Sequence, residues 1–523
     1  MKFQTFIAAC ALMLSGHAFA QTPAKQWDRT LGGSEEERLM GMQPTRDGGS
    51  ILVGASQSGI SGDKTQGHLG GDDAWVVKLD AQGHKQWDRT LGGTGYDGAT
   101  SVQQTTDGGY LIGAYSNSPI SGDKTQASQG RVDYWIIKLD AQGTKQWDRT
   151  LGGDSDDTPI SVQQTADGGY VLAGNSSSAV SGDKSQATRG RTDYWVVKLD
   201  SQGNKQWDRT IGGSRIDAFT SLQQTPDGGY LLGGYSQSDV SGDKTQPSLG
   251  GNDFWLVKLD GQGAIQWDRV LGGSEGDYLQ ELQLTADGGA LLAGSSYSGV
   301  SGDKSQPNLG GWDFWLVKVD AQGKKQWDRA YGTTQEDYLT SLTLAADGGC
   351  VFGSNDFSSY RVTKLDAQGA KQWEKILHAG GAYTQLTRVR ATSDGGVLLG
   401  GMSTGDAHYD KSEPSRGGEL YGDYWVVKLA PAVLANQPAK VSADLRVYPN
   451  PARGSFTVQL PANPLPAGLH LHLLDALGRT VLHQQVPANG SVTVSVETLP
   501  RGIYWLRVSG PQGYLAKQRV VLE

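Results

Sequence analysis

Short runs rich in Val, Leu, Tyr and Trp, separated by turns built on Asp and Gly, occupy most of this chain. In one stretch, Ser161-Val162-Gln163-Gln164-Thr165 and Tyr170-Val171-Leu172-Ala173-Gly174 flank Ala166-Asp167-Gly168-Gly169. Asp-Gly favours a hairpin turn because glycine accepts positive φ without a steric penalty. A second pair, Tyr194 to Leu199 and Lys205 to Thr210, flanks Asp200-Ser201-Gln202-Gly203. Asp first and Gly fourth suit a type I turn. The pattern predicts two hairpins per unit, and no segment carries the period of a helix.

The unit recurs. Lys-Gln-Trp-Asp-Arg, with Ile265 for the Lys in one copy, places its Trp at 27, 87, 147, 207, 267 and 327, and a variant places Trp373. Asp-Gly-Gly begins at Asp47, Asp107, Asp167, Asp227, Asp287, Asp347 and Asp394. A third motif, such as Asp193-Tyr194-Trp195-Val196-Val197-Lys198-Leu199-Asp200, has its Trp at 75, 135, 195, 255, 315 and 425, with Arg361 in its degraded copy. Seven units of about 60 residues, four short strands each, predict an all-β chain closed as a seven-bladed β-propeller. A stacked β-solenoid is the rival, and the ends of the array decide between them. Lys25-Gln26-Trp27-Asp28-Arg29 lacks the strand that normally precedes it, and Tyr424 to Leu429 lacks the strand that normally follows. Each end holds what the other is missing, so a ring leaves no open edge. Most units carry a loop of roughly twenty residues between the hairpins, for example around Ser121-Gly122-Asp123-Lys124. The sixth unit lacks it, and the seventh has rewritten it with His408, Tyr409, Asp410 and Lys411. The array, roughly residues 25–429, resembles the Trp/Gly-rich β-propeller repeats of secreted bacterial proteins.

The formal net charge of −9 excludes a nucleic-acid partner, which needs a concentrated basic surface. Lys2, the apolar run Phe6 to Leu14 and the small-x-small Ala18-Phe19-Ala20 read as a signal peptide over residues 1–20, with cleavage between Ala20 and Gln21. Ile7-Ala8-Ala9-Cys10 resembles a lipoprotein box only faintly, with almost no apolar region before it. No run is long enough for a transmembrane helix. Cys10 departs with the leader, so the mature chain holds one cysteine, Cys350, and no intrachain disulfide.

After the propeller, residues 21–430, a Pro-containing linker at 431–443 leads to a module of different composition at 444–523. Its alternating runs Ser455 to Leu460, Leu469 to Leu474, Ser491 to Val496 and Ile503 to Val508 predict a small Ig-like β-sandwich. Val447-Tyr448-Pro449-Asn450-Pro451, Asp475-Ala476-Leu477-Gly478-Arg479, Leu499-Pro500-Arg501-Gly502-Ile503-Tyr504 and the terminal run from Lys517 closely resemble the type A sorting domain of the type IX secretion system. The resemblance implies passage across both membranes with the type IX machinery as partner. It also implies removal of the domain and a passenger either released or attached at the cell surface.

The repeated Asp residues read as turn caps. Calcium needs six to eight oxygens, and no closely spaced Asp-x-Asp loop is present, so no metal or cofactor is expected. The Trp rows read as wedges between blades, whereas Trp312 has no counterpart in other units and is a candidate for exposure. No nucleophile elbow, zinc motif or phosphate loop is visible. The breaks in symmetry, Cys350, Arg361, Trp312 and the seventh loop, share no evident chemistry. The expected function is a non-enzymatic module binding an unidentified protein or glycan, with Trp312, His408, Tyr409 and Asp410 as candidate ligand-face residues. A polysaccharide-active enzyme using the channel, or a structural surface component, is the alternative.

Overall fold

The Asp-Gly-Gly turns reverse the chain as their chemistry dictates. A computed structural model describes residues 22–380, 383–432, 445–460, 469–475, 480–487, 491–510 and 513–523. Gly48 sits at φ 81°, and a Cβ on Gly49 would lie 2.1 Å from the Leu79 carbonyl oxygen, so neither position tolerates a side chain. Asp47 Oδ1 accepts from Gly49 N at 3.0 Å, while its Oδ2 receives Lys78 Nζ at 2.8 Å from the third strand. These carboxylates are turn caps. Five of the seven, Asp107, Asp167, Asp227, Asp287 and Asp394, are held down at about pKa 2 by their Thr, Lys and backbone partners despite partial burial.

Blade 1 pairs Glu37–Pro44, Ser50–Ser56, Asp73–Leu79 and Lys85–Leu91 in that order, and the next five blades repeat the order. In blade 7, Thr384–Ala391, Val397–Ser403 and Asp423–Leu429 are completed by Lys25–Leu31 as the outermost strand. Each innermost strand touches the innermost strand of the next blade, and Glu37–Pro44 touches Thr384–Ala391, which closes the ring. The predicted seven-bladed propeller and its N-terminal latch are both present.

Trp75, Trp135, Trp195, Trp255, Trp315 and Trp425 are fully buried. Each indole N–H donates to the Asp of the adjacent strand, Trp135 to Asp148 at 3.0 Å and Trp425 across the latch to Asp28 at 3.1 Å. Five of the six rings also meet a ring of a neighbouring blade, as Tyr134 lies 4.7 Å from Trp195 and donates its hydroxyl to the Trp195 carbonyl at 3.1 Å, while Trp135 shares its cluster with Ala74 instead. These are the expected wedges. The other Trp row is half-buried except for the buried Trp373, with an arginine over the ring in several copies, as for Arg89 and Trp87. In blade 6, Arg361 replaces the wedge and Glu374 replaces its Asp, and the two form an ion pair at 3.1 Å. Donor and acceptor survive the exchange, while the ring is lost.

Acid pairs line the seams between blades. Asp73 of blade 1 and Asp97 of blade 2 are both fully buried, and a Cβ on Gly92 would lie 2.0 Å from one carboxylate and 3.2 Å from the other. Asp133 with Asp157, Asp193 with Asp217, Asp253 with Asp277, Asp313 with Asp337, and Asp423 with Glu37 repeat the arrangement. Within a blade, the buried loop lysine feels both acids, as Lys124 does Asp133 and Asp97.

Pro23–Pro431 forms one compact unit, and the chain from Ala432 onward belongs to another. In the latter, Thr480–Gln485, His470–Leu474, Gly502–Gly510 and Gly513–Leu522 form one strand group, and Arg446–Arg453, Ser455–Gln459 and Ser491–Ser495 the other, the two joined by a parallel bridge between Ala452 and Leu522. Phe456, Val458, Val494, Leu471, Leu506 and Val520 share a single core between them, which makes a small sandwich. The first, fourth and last strands of this unit, Arg446–Arg453, Thr480–Gln485 and Gly513–Leu522, add to the four that the alternation predicts. The leader with Ala20 and Gln21, most of the linker and Gly478 lie outside the described residues.

Candidate ligand-binding face and axial channel

The long loops and the connections between successive blades emerge at the same end of the strands, because each joins the second to the third strand or the fourth to the next first. That face is aromatic in one sector. Trp312, ending the blade 5 loop, is half-buried rather than exposed. It lies 5.2 Å from Tyr278, 5.4 Å from Tyr297 and 6.4 Å from Tyr338, ring centre to ring centre. Trp312 also covers Gly276, where a Cβ would come within 3.1 Å of the indole. Tyr297 and Tyr338 keep 47% and 36% of their surface in solvent. Asn252 of blade 4 donates to the Tyr278 hydroxyl at 2.6 Å, so the patch spans three blades.

Blade 7 departs from the loop pattern at one backbone position. Gly62, Gly122, Gly182, Gly242 and Gly302 occupy φ between 53° and 57°, and the equivalent residue in blade 7 is Tyr409 at φ 53°. A side chain there costs about 1–2 kcal/mol, and such strain concentrates at functional sites. Tyr409 is 76% exposed, beside His408 at 4.0 Å and His378 at 6.2 Å. Asp410 instead belongs to the scaffold: its amide donates to the His378 carbonyl at 2.9 Å and its Oδ2 accepts from His378 N at 3.0 Å. Lys411 is buried like its counterparts in the other loops. Phe357, at φ 61° and exposed, stacks on Tyr383 in the same sector. Among the described residues, no contact joins the Trp312 patch to the Tyr409 group.

The axial channel holds residues that motif reading missed. Its volume is about 490 Å³, and its wall is the second half of the seven innermost strands. Most copies present Ser and Gln there, but Glu281, Arg388 and Arg390 supply charge from blades 5 and 7. Arg390 pairs with Glu281 at 3.1 Å, and Glu281 also accepts from Ser341 Oγ at 2.9 Å and Leu342 N at 2.8 Å. Aligning the innermost strands position by position would have found this trio, since Arg388 and Arg390 replace the Ser and Gln of Ser161-Val162-Gln163. Cys350 is buried, and burial lifts its thiol to about 12, so it is unreactive. Among the described residues, no group of three or more His, Cys, Asp or Glu is placed to hold a metal ion.

In the sandwich, Asn450 Nδ2 donates to the Arg519 carbonyl at 2.8 Å and its Oδ1 accepts from Val521 N at 2.9 Å, which ties the opening motif to the final strand. Tyr504 is buried and donates to the Pro500 carbonyl at 2.8 Å. Tyr448, Pro449 and Pro451 are exposed, Gly502 opens its strand, and Lys517 lies in the last strand.

A closed ring of seven four-stranded blades, followed by a sandwich with its own core, defines a β-propeller protein with an appended terminal domain. Residues 446–523 match the sequence profile of the secretion system C-terminal sorting domain, so the sandwich is an export address and the chain is carried by the type IX system to the cell surface or beyond. The regulatory protein FlaEY of Caulobacter vibrioides is 24% identical over 291 residues, which cover 51% of this chain and 30% of that protein. The solved structure of PorZ, described as an essential surface component of the type IX secretion system of Porphyromonas gingivalis, superposes with a TM-score of 0.39 at 12% identity. That alignment covers 92% of this chain and 59% of PorZ. Streptogramin B lyase superposes with a TM-score of 0.44 at 9% identity, over 77% of this chain and 97% of the lyase. None of these likenesses bears on what this chain binds. Among the described residues, no helix is long and apolar enough to cross a membrane.

Proposed function

We propose that the propeller is a non-enzymatic binding module that engages a glycan or protein through its loop face once exported. The aromatic patch of Trp312, Tyr297 and Tyr338 carries this reading, because half-exposed rings held by their neighbours are platforms for sugar rings or apolar side chains. A strained, outward Tyr409 in the same face supports it. Catalysis from the channel is disfavoured, since Glu281, the one carboxylate among the described residues of its wall, is already committed to Arg390, Ser341 and Leu342. In this reading the leader leaves after Ala20, the propeller ends near residue 430, and the sorting domain from 444 is removed after transit.

The test is a glycan array and a protein pull-down with the mature propeller and its Trp312→Ala form, alongside a depolymerisation assay. A ligand lost in the variant, with no new reducing ends, supports the proposal. New reducing ends would establish an enzyme, and full binding by Trp312→Ala would remove the patch from the site.

A further inference from the structure

The channel wall is rich in uncommitted hydrogen-bond donors. Gln43 Oε1 accepts from Gln104 N at 2.6 Å, Gln163 Oε1 accepts from Gln224 N at 2.9 Å, and Gln103 Oε1 accepts from Gln164 N. A backbone N–H on one side of each amide fixes the oxygen there and the NH₂ on the other side. All three glutamines line the channel. They come from the innermost strands of three successive blades, so their NH₂ groups form an arc of donors along one wall.

Opposite in character is Arg388. Its one hydrogen bond goes to the neighbouring Thr387 carbonyl at 3.2 Å, which leaves most of its five donors without a partner among the described residues. Glu281 is taken by Arg390, so Arg388 gives the channel a net positive charge. Burial and the adjacent Arg390 lower its pKa to about 10, still well above neutrality, so the half-buried guanidinium is charged where it faces the channel. The chain's net charge of −9 does not oppose an anion here, because surface charge is screened beyond about 8 Å at physiological salt.

We propose that the axial channel binds an anionic saccharide, whose carboxylate or sulfate pairs with Arg388 while the glutamine amides donate to its hydroxyl and ring oxygens. A guanidinium fork matches a planar carboxylate in two parallel bonds. The arc of amides suits the oxygens of a pyranose. The channel volume is that of an ordinary small-ligand site. This site is separate from the aromatic patch and does not depend on it.

Isothermal titration of the full mature chain would use three probes: a short oligogalacturonate, a neutral oligosaccharide of equal length, and inorganic sulfate. The oligogalacturonate should bind at least tenfold tighter than either other probe. Arg388→Gln should lose at least tenfold, and Arg388→Lys should retain part of the affinity. Gln103→Glu keeps the acceptor for Gln164 N while placing a negative charge in the channel, so it should abolish binding with an unchanged thermal midpoint. Trp312→Ala should bind the oligogalacturonate like the parent, which separates this site from the loop face. Equal affinity for the neutral oligosaccharide, unaltered binding by Arg388→Gln and Gln103→Glu, or no acidic saccharide bound would each overturn the proposal. Sulfate binding as tight as the oligosaccharide would reduce the site to one for inorganic anions and overturn the saccharide assignment.

Discussion

Six of the seven seams between blades are charged and one is not. Where blades 2 and 3 meet, Asp133 and Asp157 face each other, both fully buried, each with Oδ1 lacking a hydrogen-bond donor. Where blades 6 and 7 meet, Ser359 and Thr384 occupy the same two positions. Blade 6 is also the blade without the long loop, and so without the buried lysine that loop delivers elsewhere. One acid and the lysine are lost together, whereas Asp337, the other acid of blade 6, stays buried beside Asp313 without a loop lysine of its own blade. A buried carboxylate is tolerable only beside a compensating charge or a proton; Asp337 shares its seam with Asp313 and so lies near the blade 5 lysine Lys304, whereas an Asp at position 359 would have had no lysine of its own blade. The same blade exchanges the Trp–Asp bond for Arg361–Glu374, again as a pair.

Removing a lysine alone should therefore do the most damage. Lys184, felt by Asp157 and Asp193 and donating to the Gln186 carbonyl at 2.9 Å, is replaced in Lys184→Met. The expected cost is about 1–3 kcal/mol, as for leaving buried polar partners unsatisfied, read from the shift in guanidinium midpoint. A loss below 1 kcal/mol would mean that the seam acids do not need the cation.

The acids also set a pH dependence of unusual sign. Burial, followed by the facing acid among the lesser causes, raises Asp73, Asp133, Asp193 and Asp277 to about 6, and Asp423 to about 7. A carboxyl whose pKa rises on folding binds more protons in the folded state between pH 4 and 7, so stability falls as pH rises through that window. The turn acids at about 2 act oppositely, and their contribution is lost only as pH falls below 4. Denaturant midpoints should peak near pH 4–5 and decline by pH 8. A rise continuing to pH 7 would refute the assignment. Asp133→Asn keeps an oxygen for Gln129 N and Gly130 N and turns an N–H₂ toward its neighbour. It should stabilise by about 1 kcal/mol at pH 8 and by less at pH 5.

A double-mutant cycle sharpens the comparison at blade 6. Arg361→Trp and Glu374→Asp should each destabilise slightly, and together they should recover about 1 kcal/mol by restoring the hydrogen-bonded pair of the other blades. Additive effects would show that the two positions are not a unit. The smallest effect is expected at Tyr409→Gly, which returns the loop to the residue of its siblings. Relief of the left-handed backbone, about 1–2 kcal/mol, less the roughly 0.5–1 kcal/mol of extra entropy that glycine loses on folding, should add about 0.5–1 kcal/mol, measured by thermal unfolding, and a loss would mean that the ring packs more than its exposure suggests.

Periodicity made the ring legible because every blade must solve the same packing problem, so Trp195, Asp208 and Gly168 recur at fixed spacing. Closure was legible because Trp27 and Trp425 each lacked a strand neighbour. The seam pairs were not: Asp133 and Asp157 look like any strand-opening Asp, and only the three-dimensional rotation from blade to blade brings them face to face. The channel trio escaped for a related reason. Glu281 and Arg390 are 109 positions apart (390 − 281) and meet only across two seams at 3.1 Å. Trp312 was recognised as an oddity, but its half-burial depends on Tyr278, Tyr297 and Tyr338, which no local pattern relates to it.

The latch has a consequence in time. Lys25 pairs with Leu429, so the first strand of the array to be synthesised has its partner 404 residues later (429 − 25). Translation at about 5–20 residues per second puts that partner on the order of a minute behind. Blades 1 to 6 can form as they emerge, because each finds its four strands within one repeat. Throughout that interval Lys25–Leu31 is an unpaired strand, and a chain cut short anywhere before Leu429 never loses it. Ring closure thus certifies length: an incomplete propeller carries a free β-edge that proteases and chaperones can read, and a complete one hides it.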